Sequence, residues 1–294
     1  MTTSRTPAET KPEAKLSVML FPFHTKLSSG ALHPKQFVET LCDQGVTAIE
    51  PMWNWIESDP DKWADLDQAA REAGLIYSCC DLGVNLVGED EEEQLEALDK
   101  VERCSAFCEK NLHCSLVLVF GSKPATGMSN EEGRIQYGKA LARTYERVHG
   151  LGITPIIENF GALPTFAASG EHCMEVLHAS NSPGVKFAFD NGNFLLGDDT
   201  PLHAYSLLKN HTVHVHIKDF VTAHPTNPRS TPSSSGKPYT YCPIGAGEAQ
   251  VSEILQNLKA DGYKGWISLE VDGSVDPLAG SIQGATTVKK IWAE

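Results

Sequence analysis

The feature that most constrains this chain is a rhythm. From Leu16 almost to the C-terminus, short apolar runs of strand length alternate with longer amphipathic runs of helix length. A helical return between strands re-enters the sheet in the same direction, so the pattern predicts βαβ units and a parallel sheet. Strands are expected at 16–23, 47–52, 75–81, 115–120, 154–159, 185–190, 212–219 and 266–271. Helices are expected at 34–44, 61–73, 89–110, 130–149, 170–179, 201–209, 251–260 and 288–293. Eight strands and eight helices, with no break in composition, predict an α/β protein whose sheet closes on itself as a (β/α)₈ barrel.

A chain of 294 residues suits a single such TIM barrel, which commonly runs to about 250 residues as one domain. Residues 1–14 are polar and rich in Thr, Pro and Glu. They are expected to be a disordered tail ahead of the barrel domain at 15–294. The tail lacks the apolar core of a signal peptide, and no apolar run is long enough to span a membrane. The segment 221–241, with Ser233, Ser234, Ser235 and Gly236 in it, is too long and polar for an ordinary connection. It is read as an insertion over the barrel mouth, a lid or a partner contact. The formal charge is −14 and no stretch is dense in Lys or Arg. That argues against nucleic acid, whose binding needs a basic footprint, and against an anionic membrane. A local basic pocket for one small anion stays open, as does a homo-oligomer. Eight scattered cysteines without a CxxC pair fit free thiols in a reducing compartment, hence a cytoplasmic enzyme.

Side chains alternate faces along a strand. In the seventh strand Val213, Val215 and Ile217 form the outer apolar set, leaving His214, His216 and Lys218 inside. In the sixth, Phe187 and Phe189 face out and Ala188 and Asp190 face in. In the eighth, Ser268 and Glu270 face in, and in the fifth, Glu158 does. Four successive strands thus carry Glu158, Asp190, His216 and Glu270 inward near their C-terminal ends, where active sites of this fold lie. Three carboxylates and one imidazole make a hard, oxygen-rich donor set. It suits one divalent ion, Mn²⁺ first, with Mg²⁺, Co²⁺ or Zn²⁺ also admissible. Without a cation, three carboxylates at one barrel mouth would repel one another.

The segments that carry these residues are Ile157-Glu158-Asn159, Phe189-Asp190-Asn191-Gly192-Asn193, Val215-His216-Ile217-Lys218-Asp219, Gly245-Ala246-Gly247-Glu248, and 262–270. In them the chain resembles the xylose-isomerase-like barrel superfamily of sugar isomerases and epimerases, from Leu16 to the end. The resemblance implies that Glu158, Asp190, His216 and Glu270 bind the metal. In the ketose 3-epimerase branch the two matching glutamates also exchange the substrate proton. This chain departs from that branch: Asn193 stands where those epimerases carry a His, and their Arg-containing segment after the metal His is not evident. Lys218-Asp219 follows instead, as in inosose-dehydratase-like members.

The remaining candidates are less constrained by pattern. Glu50, inward at the end of the second strand, is a substrate or acid/base group, or a carboxylate bonded to a neighbouring strand. His24 is placed to bond a substrate hydroxyl or to cap the rim. His214 shares the inward face of His216 one layer deeper, as a structural histidine or a further contact to the site. Lys218 is suited to stabilising an enediolate or balancing carboxylate charge. Gly245-x-Gly247 lies where some barrels hold phosphate, although a tight turn explains it equally.

The reading is an isomerase or epimerase acting on a keto-sugar or aldose through an enediolate. Glu158 and Glu270 are the first proton carriers, with Glu50 and Lys218 sharing the work, and His24, Asn193 and His214 contact substrate. A dehydratase, in which the same intermediate expels water, is the enzyme alternative. An apurinic-site endonuclease would need more inward histidines and a basic face, and a non-catalytic sugar-binding barrel would leave the ligand set without a purpose.

Overall fold

The computed structural model describes residues 13–294; the expected N-terminal tail falls almost wholly outside them. The barrel strands are β1 (Leu16–Met19), β2 (Ala48–Glu50), β3 (Ile76–Tyr77), β4 (Cys80–Gly83), β5 (Leu116–Phe120), β6 (Thr154–Glu158), β7 (Lys186–Asp190), β8 (Thr212–Ile217) and, after an insertion, β12 (Ile267–Leu269). They form one parallel sheet in the order β3-β2-β1-β12-β8-β7-β6-β5-β4. A parallel bridge from Met52 to Asp81 ties its two ends together. β3 and β4 are two pieces of the third expected strand. The first pairs with β2 and the second with β5, and the change of neighbour falls at Ser78-Cys79. The result is the expected TIM barrel, with helices around it.

The outward residues of the strands pack under these helices. Val18, Phe187, Phe189, Val215, Ile217 and Leu269 belong to the main apolar core and are almost wholly buried. Inside the barrel a small plug of Cys79, Leu118, Ile156 and Ala188 fills part of the lumen. The eight cysteines are free, and all but Cys42 are buried. Among the described residues no helix is long and apolar enough to cross a membrane.

Several boundaries differ from the sequence expectation. The first strand ends at Met19, and Phe21–Phe23 turn into a 3₁₀ helix, because Pro22 fixes φ and removes a donor. The last helix runs over Pro277–Ala293, started by Asp276, whose carboxylate accepts from the Leu278 and Ala279 amides. Its first turns hold Gly280, Ser281 and Gly284, which break the apolar periodicity. A side chain at Gly284 would meet Ile244 Cδ1 at 2.7 Å, so close packing rather than helix propensity placed that glycine. The segment 221–241 is not a plain loop. With Phe220 it builds β9 (Phe220–Thr222), β10 (Thr231–Pro232) and β11 (Pro238–Tyr241), an antiparallel sheet in the order β10-β11-β9.

Candidate metal centre and active-site cavity

The register of the barrel sets the site. Asp190 of β7 lies opposite His216 of β8, His216 opposite Ser268 of β12, and Glu158 of β6 opposite Ala188. Two asparagines lock the strand ends. Asn159 donates to the Asp190 carbonyl at 2.8 Å and accepts from the Asp190 amide at 3.1 Å. Asn191 accepts from the Lys218 amide at 3.0 Å and donates to the Ala249 carbonyl at 2.8 Å. Asp190 Oδ1 accepts from the Asn193 amide at 2.9 Å, which leaves Oδ2 to face the centre.

The four residues expected to hold a metal are brought together. Ligand atoms of Glu158, Asp190 and His216 lie within 4.8 Å of one another. His216 Nδ1 stands 3.3 Å from Glu158 Oε2 and 3.6 Å from Glu270 Oε2. The other ring nitrogen, Nε2, is 3.0 Å from Glu50 Oε1. Glu50 is a buried acceptor, so Nε2 carries the hydrogen and the Nδ1 lone pair faces carboxylate oxygens. His216 Nδ1 and Glu270 Oε2 are both buried and lack a hydrogen-bond partner. Acceptors facing acceptors in a buried place call for a cation between them. In the metal-free chain a proton fills that need: burial pulls the His216 pKa down, but Glu50 and Glu158 outweigh it and hold it well above the usual value. The donor set fits a divalent ion.

Lys218 Nζ lies 2.7 Å from Glu270 Oε1 and 2.8 Å from Asp190 Oδ2. Burial lowers its pKa, yet Asp190 and Glu270 overcome this and keep it charged. In return, burial raises Glu270, but Lys218 and then His216 bring it below the ordinary carboxylate value. Asp190, more deeply enclosed, is pushed by burial up to about 7 despite Lys218.

Above this floor is a cavity of about 340 Å³. Glu158, Lys218, Glu270 and Asn193 line its base. Phe21, Phe120, Phe160, Phe220 and Tyr241 form aromatic walls, and Arg229, Thr231 and Thr240 of the insertion close one side.

Three expected contacts fall elsewhere. Glu50 and His214 are wholly buried beneath the site, with His214 Nε2 at 3.0 Å from Glu50 Oε2, and neither reaches the cavity. Glu50 therefore braces His216 from behind, as a carboxylate behind a ligating histidine does, and is closed to substrate. His24 is exposed, outside the cavity wall, with its ring edge-on to Trp55 at 4.9 Å; the 3₁₀ turn around Pro22 swings it outward. The amides of Gly245 and Gly247 are not free for phosphate. They donate to Asp219 Oδ2 at 2.9 and 2.8 Å, and the Ala249 and Phe220 amides donate to Oδ1. Asp219 is thus the anion that this turn binds.

Sequence reasoning passed over Asp272, Arg229 and Asp81. Asp272 lines the cavity and sits two residues beyond Glu270, in the same inward phase. Asp81 is wholly buried, and neither carboxylate oxygen has a hydrogen-bond partner.

The chain matches the xylose isomerase-like TIM barrel family over residues 38–291 and belongs to it. Solved structures share its fold at low identity. A probable 3-DHS dehydratase, AsbF of Bacillus anthracis, superposes with a TM-score of 0.72 at 15% identity, covering 93% of this chain and 98% of that one. D-psicose 3-epimerase of Clostridium cellulolyticum H10, solved with D-tagatose, gives 0.71 at 13%, covering 95% and 99%. The IolI protein, solved with a bound zinc atom, gives 0.71 at 13%, covering 95% and 98%. No curated protein matches the chain in sequence.

Proposed function

We propose that this protein is a divalent-metal-dependent isomerase or epimerase that moves a proton at a carbon next to the carbonyl of a keto-sugar or aldose. The observation that carries the reading is the convergence of His216 Nδ1 on Glu158 and Glu270, at 3.3 and 3.6 Å, at the floor of an open cavity. Glu158, Asp190, His216 and Glu270 would hold the ion. Bound there, it supplies Lewis acidity, polarising the carbonyl and acidifying the adjacent C–H.

The proton transfer belongs to the chain's own groups. Glu270 and Glu158 both border the cavity and carry protons at their Oε atoms. The Lys218 ammonium, 2.7 Å from Glu270 Oε1, keeps Glu270 ionised in the resting state, ready to accept. It also offers a hydrogen bond to oxygen charge that develops in the substrate. The aromatic walls keep bulk water from a reactive carbanion. A dehydratase is the second reading, favoured by the same ammonium, which can hydrogen-bond the oxygen of a departing hydroxyl, and by the probable 3-DHS dehydratase among the structural neighbours.

The test has two parts. Metal analysis of gently purified chain should find one divalent ion per chain. A panel of keto-sugars and inososes should then give an isomer of unchanged mass, or a product lighter by one water if the second reading holds. A chain that retains no metal and exchanges no carbon-bound hydrogen of any panel member with deuterated water would overturn both.

A further inference from the structure

The cationic groups around the cavity differ in one respect. Lys218 is neutralised by Asp190 and Glu270. Arg229, exposed on the insertion, lines the same cavity, and among the described residues no carboxylate or amide partner engages its guanidinium. Among the described residues the other arginines are engaged. Arg71 bonds Asp67, Arg103 bonds Glu57, Arg134 bonds Glu175, Arg147 bonds Asp99 and Glu102, and Arg143 bonds Gln94. In a chain with 38 acidic residues against 24 basic ones, a guanidinium at a cavity wall that no described carboxylate engages is open to an anionic ligand. The turn around Gly245 and Gly247 cannot supply anion recognition, because Asp219 already occupies its amides.

We propose that the substrate carries an anionic group, a carboxylate or a phosphate, remote from its reacting carbons, and that Arg229 receives it. This rests on the function proposed above and narrows its substrate class to acidic sugars. Glu158, Asp190 and Glu270 are offset by Lys218 and a divalent ion, and Asp272 leaves one further carboxylate in the cavity lining. Arg229, on the insertion, is the cation of that lining which no described carboxylate holds. A planar fork of donors suits either a carboxylate or a phosphate, bidentately. Its place on the insertion, beside Thr231 of β10, makes the strap a specificity element. Binding the anion would draw the strap onto the substrate.

The experiment reads binding without turnover, so that a failure of the proposed reaction remains separable. Dissociation constants are measured by calorimetry on the parent, Arg229→Gln, Arg229→Lys and, as a control on the same strap, Lys237→Gln. Lys237 already pairs with Glu248 at 3.3 Å. The probes are D-fructose, 5-keto-D-gluconate and D-fructose 6-phosphate, each with and without Mn²⁺. At least one anionic probe should bind the parent roughly 10- to 100-fold more tightly than fructose. Arg229→Gln should erase that preference and leave fructose unchanged, Arg229→Lys should keep part of it, and Lys237→Gln should keep it all. Preference for the keto-acid would identify a carboxylate, and preference for the ester a phosphate. Equal binding of all three probes by the parent, or a preference that survives in Arg229→Gln, would overturn the proposal.

Discussion

Two layers of acid and imidazole lie inside this barrel, one above the other, and they behave differently. The upper layer, Glu158, Asp190, His216, Glu270 and Lys218, opens on the cavity and leaves His216 Nδ1 and Glu270 Oε2 without partners. The lower layer, Glu50 with His214 Nε2 and His216 Nε2, is sealed from solvent and answers both Glu50 oxygens at 3.0 Å each, with only His214 Nδ1 left over on its far side. His216 belongs to both. Burial alone would discharge all these groups. In the lower layer two histidines outweigh burial and hold Glu50 well below the usual carboxylate range. In the upper layer the charge is left unsatisfied toward the cavity. The contrast separates bracing from reacting: a buried charge with its bonds made fixes geometry, and one with open lone pairs facing a cavity invites a ligand.

The sharpest way to break the contrast is Glu270→Gln. The change keeps the shape and a carbonyl oxygen for the ion, but removes the proton acceptor. Turnover should fall on the order of 10²–10⁴-fold at saturating metal, with the melting temperature nearly unchanged. Exchange of substrate hydrogen with deuterated water is the measurement. A metal-loaded variant that exchanges at the parent rate would make Glu270 a ligand alone and move the base to Glu158.

Glu50→Ala should do the reverse and strike stability first. It leaves two buried imidazole N–H groups unanswered, and breaking a buried charged pair costs about 3–5 kcal/mol. Chemical denaturation reads this loss. Metal affinity should also fall, about 10- to 100-fold, as His216 loses its brace. The pH dependence has a definite sign. Glu50 is depressed in the folded state, so its contribution is present above the unfolded value of about 4.3. That contribution fades as pH falls through the folded value. The gap between parent and Glu50→Ala should therefore shrink in strong acid. A gap that widens there would show that Glu50 is not the paired anion of the lower layer.

These layers were legible in the sequence to different depths, for physical reasons. Strand alternation has a period of two, so it placed Glu158, Asp190, His216 and Glu270 on one face without knowledge of contacts. It placed His214 one layer below His216, but it could not give the depth of Glu50, which shares that face yet lies behind the site rather than in it. Asp272 was available by the same alternation, two residues past Glu270, and Asp81 stood at the expected end of the third strand. The break at Ser78-Cys79, where that strand changes partner, is a property of the closed sheet and leaves no local mark. His24 went astray because a 3₁₀ turn replaced the strand that would have carried it inward. Arg229 sits in an insertion without periodicity, where only the folded β9–β11 sheet brings it to the cavity.

A smaller effect should come from Asp81→Asn, and its sign is opposite. Asp81 is wholly buried, and burial, then the neighbouring Glu50 charge, push its carboxyl well above the ordinary value. Raised in the folded state, the acid favours folding below its unfolded value of about 3.9 and loses that advantage as pH rises toward the folded value. A neutral asparagine escapes the loss. The variant should be more stable than the parent at neutral pH, by about 1–3 kcal/mol, with the difference growing from pH 4 upward. Urea unfolding across that range is the measurement, and a destabilised variant at every pH would mean that Asp81 is held as an anion.

The least effect is expected at the neutral end of the barrel lumen. Ser17 of β1 and Ser78, just past β3, join through their hydroxyls, 2.6 Å apart, with β2 between their strands, and Ser78 Oγ also lies 3.4 Å from the Ile49 carbonyl of β2. Ser17→Ala removes one partner but leaves Ser78 that carbonyl to donate to, so no buried donor is stranded. The cost should be about 1 kcal/mol, the net worth of a neutral hydrogen bond. Ser17→Ala with Ser78→Ala should cost little more than the single change, since the second serine then leaves no partner unmet. Turnover and metal affinity should match the parent in both, because Ser17 is paired with Ser268 and Ala48 through the backbone register alone. A loss of metal affinity in Ser17→Ala would join this neutral pair to the charged layer above it. The barrel interior would then be one coupled network, and the division between a bracing layer and a reacting one would fall.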